Sequence, residues 1–409
     1  MTLNKNTVCM ALAMIMLFAC SHKKSETIVT PWGEVSTDST SEAFAVKDIM
    51  TNGEMIMLTL SGPDTYYDYH GHGMGTQYLL CEKFAAHLGV SVRVELCKDT
   101  TEMLTRLCDG EGDLIAVMLP RKYGRKYPIR FCGATVDSLG MQWAVSGENK
   151  ELADTLNNWY RPSMLTEIQR EQRMMFSKKS VRRHTYSPFL NKSAGIISSY
   201  DPLFRKYAPV ARWDWRLMAA QCYQESCFDP KARSWAGACG LMQIMPATAA
   251  HLGLPLSDIY NPEPNIAAAA KFISQLMNSF RDVTDTDQRR LFVLAAYNAG
   301  PLHIRDAMAL ARKNGRNPHL WNHVAPYILG LQTPACYNDP VVKYGYMRGS
   351  ETVDYVERIR QRYAQYRGVP YKSSGIYETD ITKTEELAPY NPMTPRKARK
   401  KHRFKINDR

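Results

Sequence analysis

The residue best placed to act as an acid is a glutamate at the end of an apolar helical stripe. One face of the predicted helix holds residues spaced three, four and three apart, namely Trp215, Met218, Cys222 and Glu225. We expect this helix to end near Asp229-Pro230. Burial and the negative end of the helix dipole both disfavour an ionised carboxylate at that point. The pattern therefore predicts a carboxyl group that is protonated near neutral pH and suited to general-acid chemistry.

An ordinary helix-end glutamate is the alternative interpretation of Glu225. The residues that follow favour a functional one, because short Gly-rich and polar motifs continue along the chain. These are Gly240-Leu241-Met242-Gln243, followed by Met245-Pro246, and then Ala296-Tyr297-Asn298-Ala299-Gly300. A Ser at 234 and a Tyr at 355 belong to the same series.

Taken in order, this series resembles the catalytic domain of the soluble-type lytic transglycosylases. The resemblance covers roughly residues 200–368, and its pieces are Glu225-Ser226, Ser234, the Gly240–Gln243 and Met245-Pro246 motifs, Ala296–Gly300 and Tyr355. No single piece is specific, whereas the complete ordered set is a strong signal. The resemblance implies a mainly α, lysozyme-like catalytic domain over residues 197–368.

The same resemblance implies a role for each matching side chain. Glu225 is the expected catalytic residue. The substrate-binding residues implied are Ser226, Ser234, Gln243, Met245, Tyr297, Asn298 and Tyr355. Among them Ser234, Gln243 and Asn298 would bind sugar acetamido groups, the two tyrosines would line the site, and Met245 would pack on a sugar face. Core packing is the alternative for each tyrosine and for the methionine.

The implied reaction is cleavage of the β-1,4 bond between N-acetylmuramic acid and N-acetylglucosamine. Glycosidases commonly use two carboxylates, but only Glu225 stands out here, and Asp229 is expected to cap a turn instead. One carboxylate suffices if the muramic C6 hydroxyl attacks C1 and forms a 1,6-anhydro sugar. A peptidoglycan or muropeptide sensor that has lost activity is the competing class, and a true hydrolase is a third possibility.

The first twenty residues have the features of a lipoprotein signal peptide. Lys5 supplies a positive charge, and an apolar segment from Val8 to Ala19 is too short to span a bilayer. It ends at Cys20, which resembles the lipidated cysteine of a bacterial lipoprotein box. A plain secretory signal is the alternative. The resemblance implies an anchor in the outer membrane, facing the periplasm, with polar residues 21–53 as a tether.

Residues 54–160 alternate between strand and helix patterns, which predicts a small parallel α/β lobe. The stretches Lys83–Val90 and Asp109–Leu114 resemble the first lobe of periplasmic solute-binding domains. About twenty residues separate Leu119 from Gly140, too few for the second lobe of that family. The whole chain thus resembles the membrane-bound lytic transglycosylases of F type, with a truncated, single-lobe binding domain. A muropeptide or a protein is a possible ligand of this lobe.

Charge and cysteine content complete the sequence-based predictions. The net charge of +12 suits an anionic partner such as peptidoglycan, and we expect no nucleic-acid partner in an exported protein. Residues 161–196 are predicted to form a linker and residues 369–409 a basic disordered tail. Eight cysteines remain beyond Cys20, so that disulfides are permitted, including one between Cys227 and Cys239; burial as small apolar side chains is the alternative. No Cys/His spacing indicates a zinc site, and we expect no cofactor.

Overall fold

A computed structural model describes residues 46–177 and 180–371, together with the backbone of residues 27–30 and 33–36. The predicted lipidation site Cys20 and the basic tail from residue 372 lie outside the described residues. Among the residues that the structure does describe, no helix has both the length and the apolar character needed to cross a bilayer.

The strands of the described chain fall into one main sheet and three small ladders. In chain order they are β1 Thr27–Thr30, β2 Gly33–Ser36, β3 Glu54–Thr59, β4 Tyr67–Tyr69, β5 His72–Met74, β6 Ser91–Leu96, β7 Leu114–Pro120, β8 Ile129–Val136, β9 Met141–Ser146, β10 Val181–Arg182 and β11 Arg233–Ser234. The main sheet has five strands in the order β6-β3-β7-β9-β8. The pairs β1–β2, β4–β5 and β10–β11 are antiparallel ladders.

The main sheet is mixed, which corrects the prediction of a parallel lobe. Strands β6, β3 and β7 are parallel, as the alternating strand and helix pattern predicts. Strand β9 runs antiparallel to both β7 and β8. The chain passes from β8 to β9 through the short turn Asp137–Leu139, and such a hairpin places these two strands antiparallel. Strands β7 and β8 flank β9 and therefore run parallel to each other. A 3₁₀ turn at Arg121–Arg125 and strand β8 occupy most of the segment between Leu119 and Gly140.

Helices cover both faces of this sheet. They are α1 Val46–Asn52, α2 Thr76–Leu88, α3 Thr100–Cys108, α4 Lys150–Trp159 and α5 Ser163–Met175. The buried Val46 and Ile49 of α1 and Ile168 of α5 belong to the core of the lobe. The packed lobe therefore extends beyond the predicted limits of 54 and 160, into the segments predicted as tether and linker.

The second domain is helical, as predicted. Its helices are α6 Asp201–Ala211, α7 Trp215–Ser226, α8 Pro246–Leu252, α9 Pro262–Ser279, α10 Thr286–Ala299, α11 Pro301–Lys313, α12 Trp321–Gly330, α13 Pro334–Tyr337 and α14 Gly349–Arg367. One continuous apolar core joins them and includes Met218 and Cys222 of α7 and Ile359 of α14. The helical periodicity of the sequence therefore predicts α7, α9, α10 and α14 correctly, and the observed boundaries differ from the predicted ones by a few residues.

The β4–β5 hairpin joins the two domains through aromatic contacts. The Tyr69 ring stacks on Trp235 with a centroid separation of 5.5 Å. The Tyr69 hydroxyl donates a hydrogen bond of 2.7 Å to Glu351 Oε1 of α14. His72 Nε2 lies 2.8 Å from the carbonyl oxygen of Ala236. The lobe therefore contacts the loop that carries Ser234 directly, which the sequence did not indicate.

Candidate active site

Helix α7 holds Glu225 at its last turn because both of its ends are fixed. Asp214 caps the first turn by accepting a hydrogen bond from the Arg216 amide. At the other end, Cys227 and Phe228 adopt left-handed backbone angles, with φ of 51° and 63°. Non-glycine residues rarely adopt this conformation, and it turns the chain sharply away from the helix axis. Glu225 therefore lies in the last turn of α7, two residues before the chain turns away from the helix axis.

Asp229 stabilises the turn after α7, as the sequence predicts. Its Oδ1 accepts a hydrogen bond of 2.9 Å from the Lys231 amide, and its Oδ2 accepts one of 2.6 Å from the His184 amide. Only 8% of the residue is exposed. Both carboxylate oxygens are thus occupied by backbone donors, which makes Asp229 a structural residue.

Glu225 and Tyr355 form the central contact of the site. The Tyr355 hydroxyl, carried by α14, donates a hydrogen bond of 2.5 Å to Glu225 Oε1. Desolvation by the surrounding protein raises the pKa of Glu225 to about 7, while the Tyr355 hydrogen bond and the charge of Arg183 act in the opposite direction. Glu225 nevertheless retains partial exposure. A partly accessible carboxyl group with such a pKa can donate a proton near neutral pH and take one back.

Tyr355 is held as a hydrogen-bond donor. It is 6% exposed, and burial together with the negative charge of Glu225 raises the pKa of Tyr355 well above its ordinary value. Its hydroxyl oxygen accepts a hydrogen bond of 3.1 Å from Gln221 Nε2. Gln221 lies on α7 one turn before Glu225, so that one helix carries both groups that contact Tyr355.

Arg183 is a site residue that the sequence analysis left in the linker. Its Nη1 donates hydrogen bonds to the carbonyl oxygens of Glu225 at 2.9 Å and Gln224 at 3.3 Å. The last carbonyls of a helix lack partners within the helix, and a cation there also opposes the negative end of the dipole. A basic residue shortly before a catalytic helix could have suggested this role, but many linkers contain such residues.

The loop after α7 is built by internal hydrogen bonds of the predicted sugar-binding residues. Gln243 has a left-handed φ of 46°, and its Nε2 donates to the carbonyl oxygens of Ala232 and Gly240 at 3.2 and 2.9 Å. Ser234 Oγ accepts a hydrogen bond of 2.9 Å from the Ala238 amide. These two side chains therefore fix the shape of the loop.

Gly240 and Asn265 set the approach of this loop to helix α9. A Cβ at position 240 would lie 2.6 Å from both the Ile259 carbonyl oxygen and Asn265 Nδ2, and the φ of Gly240 is +76°. The fully buried Asn265 accepts a hydrogen bond of 2.8 Å from the Met242 amide. The Gly-Leu-Met-Gln motif thus requires glycine for a close approach. The sequence analysis missed Asn265, which falls outside every motif.

Tyr297 and Asn298 connect the end of α10 to the same site. The Tyr297 hydroxyl donates a hydrogen bond of 2.8 Å to the Met242 carbonyl oxygen. Burial, with a smaller contribution from the charge of Glu225, raises the pKa of Tyr297 well above its ordinary value. Asn298 Oδ1 accepts a hydrogen bond of 2.7 Å from Thr352 Oγ1, one turn before Tyr355 on α14. Tyr297 and Tyr355, which come from two separate motifs, thus both lie close to Glu225.

Two predicted residues stand apart from this group. Ser226 is fully buried, and its hydroxyl donates to the Cys222 carbonyl oxygen at 3.1 Å, beneath the site and not on its surface. Met245 is partly exposed at the start of α8, and no hydrogen bond joins it to Glu225.

The cysteines of the described chain are all free. Cys227 and Cys239, which could have closed the loop after α7, are both buried and unbonded to each other. Cys239 Sγ instead lies 3.1 Å from the Tyr260 hydroxyl. The alternative of small buried side chains therefore describes them better than a disulfide framework. Across the described residues, no group of three or more His, Cys, Asp or Glu side chains is arranged to hold a metal ion.

Comparison with known proteins gives one family model and a set of relatives. Residues 202–320 match the Transglycosylase SLT domain. A membrane-bound lytic murein transglycosylase F of Desulfosudis oleivorans is 27% identical over 77% of this chain and 90% of its own length. The protein of the same name in Aeromonas hydrophila is 37% identical over 43% of this chain, and this region spans only 34% of that relative.

Among solved structures, the 70 kDa soluble lytic transglycosylase of Escherichia coli is 27% identical, with a TM-score of 0.29 over 41% of this chain and 24% of that protein. The SLT match contains Glu225 and every motif except Tyr355. The SLT match and these relatives support an enzyme with a lytic transglycosylase domain, and the chain is similar to the membrane-bound lytic murein transglycosylases of F type.

Proposed function

We propose that this enzyme cleaves the β-1,4 bond between N-acetylmuramic acid and N-acetylglucosamine in peptidoglycan and leaves 1,6-anhydromuramic ends. The observation that carries the proposal is the partly exposed Glu225 carboxyl group, which accepts a hydrogen bond from Tyr355 and has its pKa raised to about 7. The SLT domain match and the murein-cleaving names of the relatives support peptidoglycan as the substrate. The net charge of +12 also suits an anionic polymer.

In the first step, protonated Glu225 gives its proton to the glycosidic oxygen. The bond between C1 of the muramic residue and that oxygen breaks, and the N-acetylglucosamine leaves with a free C4 hydroxyl. Positive charge develops at C1 as this bond breaks. The carboxylate formed on Glu225 is stabilised by the Tyr355 hydroxyl, whose hydrogen bond to a charged acceptor is stronger than to a neutral one.

In the second step, the same carboxylate takes the proton of the muramic C6 hydroxyl. The C6 oxygen attacks C1 and closes the 1,6-anhydro ring. Glu225 returns to its protonated form, and no water is consumed. One group therefore serves as acid and then as base, which its pKa near neutrality allows.

The surroundings of Glu225 favour this route over hydrolysis. Glycoside hydrolases commonly use a second carboxylate to activate water or to attack C1. The nearest acidic residue along the chain is Asp229, and two backbone amides occupy its oxygens. Tyr355 and Tyr297 are both held as neutral phenols by their raised pKa values, so that neither is a base.

Glu225→Gln tests the assignment, with Asp229→Asn as the matched control. Glutamine keeps the size of the side chain and can still accept the Tyr355 hydrogen bond, but it cannot donate a proton of similar acidity. We expect release of muropeptides from purified sacculi to fall by roughly 10³-fold or more for Glu225→Gln. Asp229→Asn loses one of its two backbone hydrogen bonds, and the fraction that is folded by circular dichroism should retain activity. A comparable rate from folded Glu225→Gln would refute the role of Glu225, and binding of sacculi without cleavage by the wild type would favour the sensor class.

We also propose that the enzyme is lipid-anchored to the outer membrane through Cys20 and faces the periplasm. The support is the apolar segment from Val8 to Ala19 that ends at Cys20, together with the membrane-bound relatives. Wild-type protein should incorporate labelled palmitate and sediment with membranes. Cys20→Ser should lose the label and accumulate unprocessed. Normal maturation of that variant into a soluble protein would indicate a plain secretory signal.

The sheet lobe is proposed to position the catalytic domain or to dock on a glycan or protein surface. A clamp encloses a small ligand between two lobes, whereas here a 3₁₀ turn and one strand replace the second lobe. We therefore expect residues 21–409 to bind free amino acids only weakly in calorimetry. Tight binding of an amino acid would contradict this view. Tight binding of a muropeptide, with a change in cleavage rate, would show a regulatory site shared with the catalytic domain.

A further inference from the structure

Gln221 is a buried polar residue whose one side-chain hydrogen bond within the described part of the chain leads to the candidate active site. It is 0% exposed and lies within an otherwise apolar stretch of α7. Its Nε2 donates to the Tyr355 hydroxyl oxygen at 3.1 Å. Its Oε1 is buried and has no hydrogen-bond partner among the residues that the structure describes.

This arrangement is unfavourable for stability alone. Leaving a buried acceptor without a partner is destabilising, and an apolar side chain of the same size would avoid that penalty. The single hydrogen bond of Nε2 offsets only part of it. We therefore look for the role of this glutamine in its hydrogen bond to Tyr355.

The hydroxyl of Tyr355 has one proton to donate and an oxygen that can accept. Gln221 donates to that oxygen from one side, and Glu225 Oε1 lies 2.5 Å away on another. Because the Gln221 amide donates to the Tyr355 oxygen, Gln221 cannot also accept the hydroxyl proton through that contact. The proton of Tyr355 is therefore donated to Glu225 Oε1. A hydrogen bond received by a hydroxyl also polarises it and makes it a stronger donor.

We propose that Gln221 is a positioning residue, which directs the Tyr355 hydroxyl toward Glu225 and so fixes the orientation of the carboxyl group at the end of α7. This proposal rests on Glu225 being the acid and base of the proposed function. Gln221 touches neither the sugar nor the proton that is transferred. It acts through Tyr355, and its effect should vanish when the tyrosine hydroxyl is absent.

The test combines Gln221→Met, Tyr355→Phe and the double variant in a cycle. Methionine keeps the length of the side chain but removes both polar atoms, including the unsatisfied Oε1. Loss of the polarising bond weakens the stabilisation of the Glu225 carboxylate, and the pKa of Glu225 therefore rises. The falling, high-pH limb of the kcat profile should move upward by about 0.5–1 pH unit, and kcat should decrease by about 3- to 10-fold with KM nearly unchanged.

Tyr355→Phe should give a larger change in the same direction, and adding Gln221→Met to it should change neither the profile nor kcat further. The melting temperature of Gln221→Met should equal or exceed that of the wild type. An effect of Gln221→Met that persists in full in the Tyr355→Phe background would overturn the proposal. So would a lower melting temperature with a uniform loss of activity and an unshifted profile, since that pattern indicates packing.

Glu225→Gln separates this inference from the proposed function. If Glu225→Gln is inactive and Gln221→Met has no effect on the pH profile, the positioning role alone is wrong. If Glu225→Gln retains activity, the assignment of the acid is wrong, and the role of Gln221 is overturned with it.

Discussion

Each domain of this enzyme contains a carboxyl group whose pKa is raised by burial, and the two groups have different partners. In the sheet lobe, Asp113 is 7% exposed and its Oδ2 accepts a hydrogen bond of 2.7 Å from the Ile56 amide. In the helical domain, Glu225 keeps partial exposure and accepts its hydrogen bond from the hydroxyl of Tyr355. A raised pKa therefore does not by itself identify a catalytic acid.

The hydrogen-bond partner of each carboxyl group and its exposure to solvent indicate its role. The main chain of Asp113 also donates to the Ile56 carbonyl oxygen at 3.0 Å, so that side chain and backbone together join strands β3 and β7. The Ile56 amide is held within strand β3, and Asp113 is almost fully buried. Glu225 lies at a helix end beside residues from several motifs and remains accessible. The comparison indicates a structural role for Asp113 and supports the catalytic role proposed for Glu225.

The largest predicted effect comes from neutralising each carboxyl group in turn. Glu225→Gln should reduce turnover of sacculi by roughly 10³-fold or more, because it removes general-acid and general-base catalysis together. Asp113→Asn should stay within about 2-fold of wild type, since its amide oxygen can still accept from Ile56. Initial rates of muropeptide release, measured on protein of wild-type circular dichroism, check both. Equal losses in the two variants would contradict the comparison.

The next effect is on stability. Asp113→Ala leaves the Ile56 amide without its side-chain partner inside the lobe, which should lower the free energy of unfolding by about 1–3 kcal/mol. Urea denaturation followed by tryptophan fluorescence measures this, and kcat of the remaining folded enzyme should be near normal. A stability equal to that of the wild type would show that Asp113 does not support the sheet.

The pH dependence of stability distinguishes Glu225 from its glutamine variant. The folded-state pKa of Glu225 is raised from 4.5 to about 7, so that folding disfavours its ionised form. Stability from this group is complete below about pH 4.5 and decreases as the pH rises to about 7. Glu225→Gln should therefore be about 1–3 kcal/mol more stable than wild type above pH 7 and equal to it at pH 4. A constant difference at all pH values would argue against the raised pKa.

The smallest effect is expected at the contact between the domains. Tyr69→Phe keeps the stack on Trp235 and removes only the hydrogen bond to Glu351. We expect a loss of stability near 1 kcal/mol and a change in kcat of less than about 3-fold. Tyr69→Ala, which also removes the ring, is the stronger variant and should increase KM by loosening the loop with Ser234. Unchanged kinetics in Tyr69→Ala would show that the hairpin does not support that loop.

The sequence predicts best what depends on local periodicity and ordered motifs. Helix α7 follows from the spacing that ends at Glu225, and Tyr355 follows from its place after the earlier motifs. The parallel strands β3, β6 and β7 also follow from alternating patterns. In each case the deciding information lies within a short stretch, or in the order of several stretches.

What the sequence could not show depends on distant partners. Gln221 is a polar residue inside an apolar helix, and its meaning comes from a tyrosine 134 positions away. Arg183 resembles an ordinary linker residue until it meets the end of α7. Strand β8 lies within the roughly twenty residues between Leu119 and Gly140, which are too few for a second lobe but enough for an edge strand of eight residues. Cysteine spacing permitted disulfides that the structure does not contain in its described part.

The most direct test of the account is digestion of purified sacculi in ¹⁸O-labelled water, followed by mass spectrometry of the muropeptides. If Glu225 alone serves as acid and base and the C6 hydroxyl is the nucleophile, the new muramic ends will be anhydro forms without ¹⁸O. A hydrolase that is known to act on the same bond provides the positive control for labelling. Reducing muramic ends that carry ¹⁸O in the products of this enzyme would contradict the account.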